Sequence, residues 1–140
     1  MDLDWSSLEK ISRTKAFDVW YLFPFSAVTR NLPNSGAIQP ANENKLTRVL
    51  GSSDWKQYIY EESLQQSLFD EPDLVKIPDG LQQYILNRLN DTFPTVAPNP
   101  ALLRNEKNST LFLLCFTGSN PSKKAQERAL AGANHILKHI

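Results

Sequence analysis

Cysteine is almost absent from this sequence: Cys115 stands alone. An intrachain disulfide is therefore excluded, and a reducing, cytoplasmic setting is expected. Glycine is scarce as well. Gly36, Gly51, Gly80, Gly118 and Gly132 stand too far apart for a Gly-x-Gly turn between a strand and a helix. That removes the usual phosphate and dinucleotide cradles, and with them the common nicotinamide, flavin and nucleotide enzymes, so no cofactor is expected. Charge of one sign is lacking too. Lys plus Arg and Asp plus Glu number 15 each, which gives no charge-driven attraction to nucleic acid. No apolar run approaches the roughly 20 residues of a membrane span. The opening "MDLDWSSLEK" is too acidic and polar for a secretory signal.

The 140 residues are 41% hydrophobic, enough to bury a core in one domain spanning 1–140. Asp2 or Asp4 can cap a first helix with Trp5, Leu8 and Ile11 on one side. Ala16 to Phe23 follows, apolar almost throughout, with Asp18 its only charge. Such a run suits a strand buried on both faces, as in parallel sheets. Phe25 to Leu32 reads as a helix ending at Pro33, and Glu43 to Leu50 as one stopped by Gly51. From Ser52 or Ser53 a helix is expected to run to about Phe69, with "DEPDLVKIPDG" as a loop after it. Leu81, Tyr84, Ile85, Leu89 and Phe93 form the stripe of a further helix. Ala101 to Arg104 and Leu111 to Thr117 can pair as a hairpin across "NEKNST". A last helix, with Asn120 as its cap and Pro121 in its first position, carries Ala125, Ala129, Gly132, Ala133, Ile136, Leu137 and Ile140 on one face. The pattern predicts an α/β fold: a small sheet of about three strands packed by several helices.

Few residues carry chemistry. His135 and His139 lie one helical turn apart, but no Glu or Cys stands near them in a zinc-binding pattern, so no metal site is assigned. Cys115, centred in an apolar strand, reads as an inert small hydrophobe. No catalytic residue can be named. The remaining candidates lie at the carboxyl end of the first strand, where open α/β sheets bind ligands. There Phe25 could shape a pocket, Arg30 could hold a carboxylate, and Asn31, Asp54 and Trp55 open or follow neighbouring helices.

At these residues "TKAFDVWYLFPFSAVTRNLP" resembles the three-Cys-motif partner (TcmP) family. "VLGSSDWKQYIYEES" is similar to its Gly, Asp-Trp and Tyr pattern, and "LLRNEKNSTLFLLCFTGSNPSKKAQERA" to its closing strand pair and helix. Members look like class I S-adenosylmethionine-dependent methyltransferases. The resemblance covers the carboxyl-terminal half of that fold and implies a partial Rossmann-like architecture. The half with the glycine-rich turn and ribose-binding acid has no counterpart here. "FDVWYLFP" matches the strand that ends, in amino-group methyltransferases, in Asp/Asn-Pro-Pro-aromatic. This chain has Phe-Pro-Phe instead and lacks the polar acceptor.

A non-catalytic protein-binding module follows as the expected function. The resemblance implies an origin in a phage or mobile element and, by that context, an anti-CRISPR-like inhibitor of a host defence complex. The alternative is a split or truncated methyltransferase completed by another chain. The strand that lost its neighbour should offer a free edge, with Phe17, Val19 and Tyr21 as interface residues, to a second copy in a homodimer or to a protein partner. On this reading Val19→Pro removes a ladder donor from that edge.

Overall fold

The two strongest apolar runs of the sequence pair with each other. A computed structural model of the chain describes residues 3–63 and 74–140. In it β1 (Asp18–Phe23) lies antiparallel to β6 (Thr110–Gly118), from Asp18 opposite Gly118 to Phe23 opposite Leu113. The other edge of β6 is shared by two short strands. β4 (Thr95–Val96) takes the end at Gly118 and Thr117, and β5 (Ala101–Arg104) takes Leu114 to Thr110 as the hairpin partner. A separate antiparallel pair joins β2 (Tyr60–Glu62) to β3 (Leu74–Lys76). The chain is thus mixed α/β. Every strand pairing among the described residues is antiparallel, so the parallel sheet suggested by the uninterrupted run before Pro24 does not occur there.

Strand alternation divides β1 in two. Val19, Tyr21 and Phe23 face a large core with Leu113 and Cys115. Trp20 and Leu22 face the opposite side with Phe116 and Leu114. The expectation that helices cover both faces fails here: Trp20 is 41% and Leu22 46% exposed. An all-apolar strand is compatible with one wet face, because aromatic and aliphatic residues suit strands on either side.

The large core lies beneath the sheet. α1 (Trp5–Arg13) packs on α3 (Pro40–Leu50) and α5 (Gly80–Thr92), and its Trp5 ring meets Tyr21 edge-on at 6.3 Å. α3 starts at Pro40, earlier than the expected Glu43, because proline fits the first helical position. It ends at Gly51, whose φ of +80° favours glycine. A Cβ there would also fall 2.4 Å from the Trp5 ring. α2 (Phe25–Thr29) follows Pro24 directly.

Four expectations are corrected. The helix from Ser52 or Ser53 is only α4 (Trp55–Ile59), because Tyr60 turns extended and starts β2. Tyr60 donates a hydrogen bond to the Pro33 carbonyl at 2.7 Å, and its strand pairs with β3, inside the stretch expected as a loop. The expected residues 64–69 of that helix lie outside the described residues. α6 (Lys123–Lys138) has Ser122, not Asn120, at its N-cap, with Pro121 before the helix. Asn120 instead accepts the Ser122 N–H at 2.9 Å. The buried stripe of α6 is also narrower than the pattern implies: Ala133 and Leu137 are buried, whereas Gly132, Ile136 and Ile140 are exposed.

Candidate functional site

Among the described residues, the candidates at the carboxyl end of β1 use their polar groups locally. Arg30 is exposed, and its Nε donates back to the Ser26 carbonyl at 3.3 Å. Asn31 does the same one residue on, its Nδ2 donating to Ala27 at 2.9 Å. Both side chains satisfy carbonyls of their own helical turn. Phe25 is half-buried against the large core. Trp55 is fully buried, and its indole N–H donates to Thr47 Oγ1 at 3.1 Å. Asp54 is exposed at the start of α4. No hydrogen bond or ion pair links Arg30 or Asn31 to Asp54 or Trp55 among the described residues. The ligand-site rule that singled them out belongs to parallel strands, and β1 pairs antiparallel.

The titratable and nucleophilic groups in the core are set for packing. Burial pushes the Cys115 thiol up to about 12, so the nucleophilic thiolate is strongly disfavoured. Burial likewise raises Tyr84 to about 12, and its hydroxyl donates to the Leu50 carbonyl at 2.9 Å. His135 and His139 are exposed, with ring centres 4.5 Å apart, and the His139 ring hydrogen-bonds the His135 carbonyl.

The edge of β1 is more informative. Ser119 donates its amide to the Phe17 carbonyl at 3.1 Å, and the Phe17 amide reaches Ser119 Oγ at 2.9 Å. Hydrogen-bonding direction alternates along an antiparallel strand. Val19, Tyr21 and Phe23 therefore point their backbone groups at β6, and Asp18, Trp20 and Leu22 point theirs outwards. Among the described residues no strand pairs with that outer edge. Of the expected interface residues, Phe17 is exposed, but Val19 and Tyr21 turn their side chains into the core and their amides toward β6. Val19→Pro would therefore break the internal ladder and not the free edge. Trp20 and Leu22 are the apolar residues of β1 that combine an exposed side chain with outward backbone groups. Sequence reading missed them because the run shows no polar alternation to mark its outer face.

Behind this edge, α6 packs over β6 and β4. It leaves Trp20, whose ring is tilted against Phe116 with centres 4.9 Å apart, and Leu22 as an uncovered apolar strip, with Phe112 also exposed farther along β6. Searches against protein-family models, curated proteins and solved structures gave no match to this chain.

Proposed function

We propose that the chain is a non-catalytic binding module that receives a second polypeptide along the outer edge of β1. The observation that carries this reading is the coincidence, at Trp20 and Leu22, of outward backbone groups with exposed apolar side chains. Exposed sheet edges of that kind recruit strands unless they are blunted. The opposite edge of the sheet is blunted: β5 is four residues long, breaks register beside Leu103, and ends in exposed Arg104. β1 has six residues and only Asp18 as a charge, at its start. The stretch resembling the closing strand pair and helix of the TcmP family folds as the β5–β6 hairpin and α6. That hairpin and helix are compatible with descent from the carboxyl-terminal half of a methyltransferase-like fold, but no parallel strand pair of a Rossmann-like sheet occurs among the described residues.

Two copies pairing edge to edge about a two-fold axis would satisfy the outward groups most simply. Light scattering coupled to size exclusion, with amide hydrogen exchange on the same samples, tests this. The expected result is a concentration-dependent dimer with slow exchange at Trp20 and Leu22. A monomer with fast exchange at those amides would leave the edge open and remove the homodimer. A monomer with slow exchange there would mean that the chain covers its own edge, and the reading would fall. Saturable binding of S-adenosylmethionine would favour a split methyltransferase instead.

A further inference from the structure

The last turn of α6 carries two side chains that neither the core nor the β1 edge uses. His135 and His139 stand four residues apart, a spacing that puts them on one face of a helix. His139 is the C-cap, and its amide donates to the Ile136 carbonyl at 3.1 Å, so the turn stays closed. Both residues are exposed. Their ring centres are 4.5 Å apart, with the planes tilted by 43°.

Two observations add to the spacing. His139 Nδ1 lies 2.7 Å from the His135 backbone carbonyl. A carbonyl only accepts, so Nδ1 carries the proton, and the lone pair of the neutral ring sits on Nε2. Histidines that ligate metals are commonly fixed in this way, by a hydrogen bond from the other ring nitrogen. The approach is also open. Helical side chains lean toward the preceding turn, and the turn before His135 holds Ala131 and Gly132. Both are small and exposed, and a Cβ on Gly132 would meet nothing within 4 Å.

We propose that His135 and His139 together bind a divalent first-row transition cation, with water in its remaining coordination positions. Imidazole suits zinc, nickel and copper, whereas magnesium and calcium require oxygen ligands. Zinc–nitrogen bonds of about 2.0–2.1 Å place two ligating nitrogens about 3 Å apart on one ion. Rings with centres 4.5 Å apart can meet that demand. The negative end of the α6 dipole lies here and favours a cation. Lys138 opposes it, but its side chain is exposed and can extend into water. Among the described residues no cluster of three acidic, histidine or cysteine ligands occurs, so this is a two-ligand, open site and not a closed structural one. The spacing alone assigned no metal for want of a third ligand; water can take that place. The inference is independent of the β1 edge.

The test is titration calorimetry of the full chain with zinc chloride and nickel chloride, with magnesium chloride as the control at equal ionic strength. The ring-nitrogen NMR shifts of both histidines are followed during the zinc titration. Saturable binding is expected with zinc and nickel and not with magnesium. Zinc should shift His139 Nε2 while Nδ1 keeps its proton, and should shift the His135 ring in parallel. His135→Ala and His139→Ala lie at exposed positions, and alanine is a good helix former, so helix content by circular dichroism should be kept. Each should weaken binding at least tenfold, because either leaves a single ligand. Affinity unchanged in either variant would place the ion on one ring or elsewhere in the chain and overturn the proposal. So would equal binding of magnesium, zinc shifts confined to one ring, or no saturable binding at all.

Discussion

The two faces of the sheet are made of the same kinds of residue and do different work. Below it, Trp5, Phe23, Trp55, Tyr84, Ile85 and Leu113 are almost entirely excluded from water, within one cluster fed by α1 to α5. Above it, among the described residues, Ala97, Ala101, Phe116, Ala133 and Leu137 form a smaller buried cluster under α6. Apolar burial contributes roughly 25 cal/mol per Å², so the lower face holds most of the folding energy. The upper face keeps apolar surface in reserve beside an open edge. That asymmetry suits the proposed binding module: one face carries the larger core, and the other leaves apolar surface that a partner would cover.

The sharpest way to break this comparison is to cut into each face. Trp55→Ala removes a fully buried ring together with its hydrogen bond to Thr47. It should cost about 3–5 kcal/mol in urea unfolding, the usual range for such truncations. Because Trp55 also belongs to the expected ligand group, loss of stability here would separate its packing role from any binding role. Leu137→Ala, in the thin upper layer, should cost about 2 kcal/mol, the low end for a buried leucine. If Leu137→Ala proved as damaging as Trp55→Ala, the upper layer would be a full core, and its exposed strip would need another explanation.

How far the sequence foretold this contrast depends on the element. The stripe Leu81, Tyr84, Ile85, Leu89 and Phe93 is buried as its spacing implies, because a long amphipathic helix is specified by its own periodicity. The β5–β6 hairpin was legible from two apolar runs around a polar turn. The short α4 and β2 were not. Tyr60 leaves the helical path through a hydrogen bond to Pro33 and pairing with Lys76, both distant in sequence. The candidate site was reasoned from a geometry that the sheet does not have. Its residues were joined by a rule for parallel strands, whereas Arg30 and Asn31 spend their donors on carbonyls four residues back. β1 was legible as a strand but not as a two-faced one, since Trp20 and Leu22 look as apolar as Tyr21 and Phe23.

Alkali should expose the lower core in a smaller and graded way. Folding raises the Cys115 thiol from its ordinary 9.0 to about 12, and Tyr84 from 10.0 to about 12, both chiefly by burial. Tyr21 is raised as well, first by burial and then by the proximity of Cys115. Each group is held neutral in the fold and ionises more readily in the unfolded chain. The stability they confer is therefore complete below the ordinary values and lost as pH climbs through the folded ones. Urea midpoints should stay level with respect to these groups up to about pH 8.5, near the ordinary cysteine value, and fall between 9.0 and about 12. Cys115→Ala should flatten the first part of that fall. Fast reaction of the native thiol with a disulfide reagent at neutral pH would contradict the burial on which this rests.

The smallest expected change in stability decides most about function. Leu22→Lys places an ammonium on the upper face at a position that is 46% exposed. Its amide points away from β6, so the internal ladder is untouched, and a lysine stem can lie along the sheet with its charge in water. Unfolding free energy should move by no more than about 0.5 kcal/mol, as for most exposed substitutions. Leu22 is a cleaner choice than Trp20, whose ring also packs at a tilt against the buried Phe116. Association along the edge should respond far more strongly. A strand laid beside β1 about a two-fold axis would bring the two introduced charges near each other and near the apolar strip. Repulsion and desolvation there should weaken pairing at least tenfold, roughly 1.4 kcal/mol. Denaturation and sedimentation equilibrium on the same sample separate the two effects. Unchanged stability with lost association would place binding on the upper face. Unchanged association would clear the edge of that role, and a stability loss above about 1.5 kcal/mol would show that the strip belongs to the fold itself.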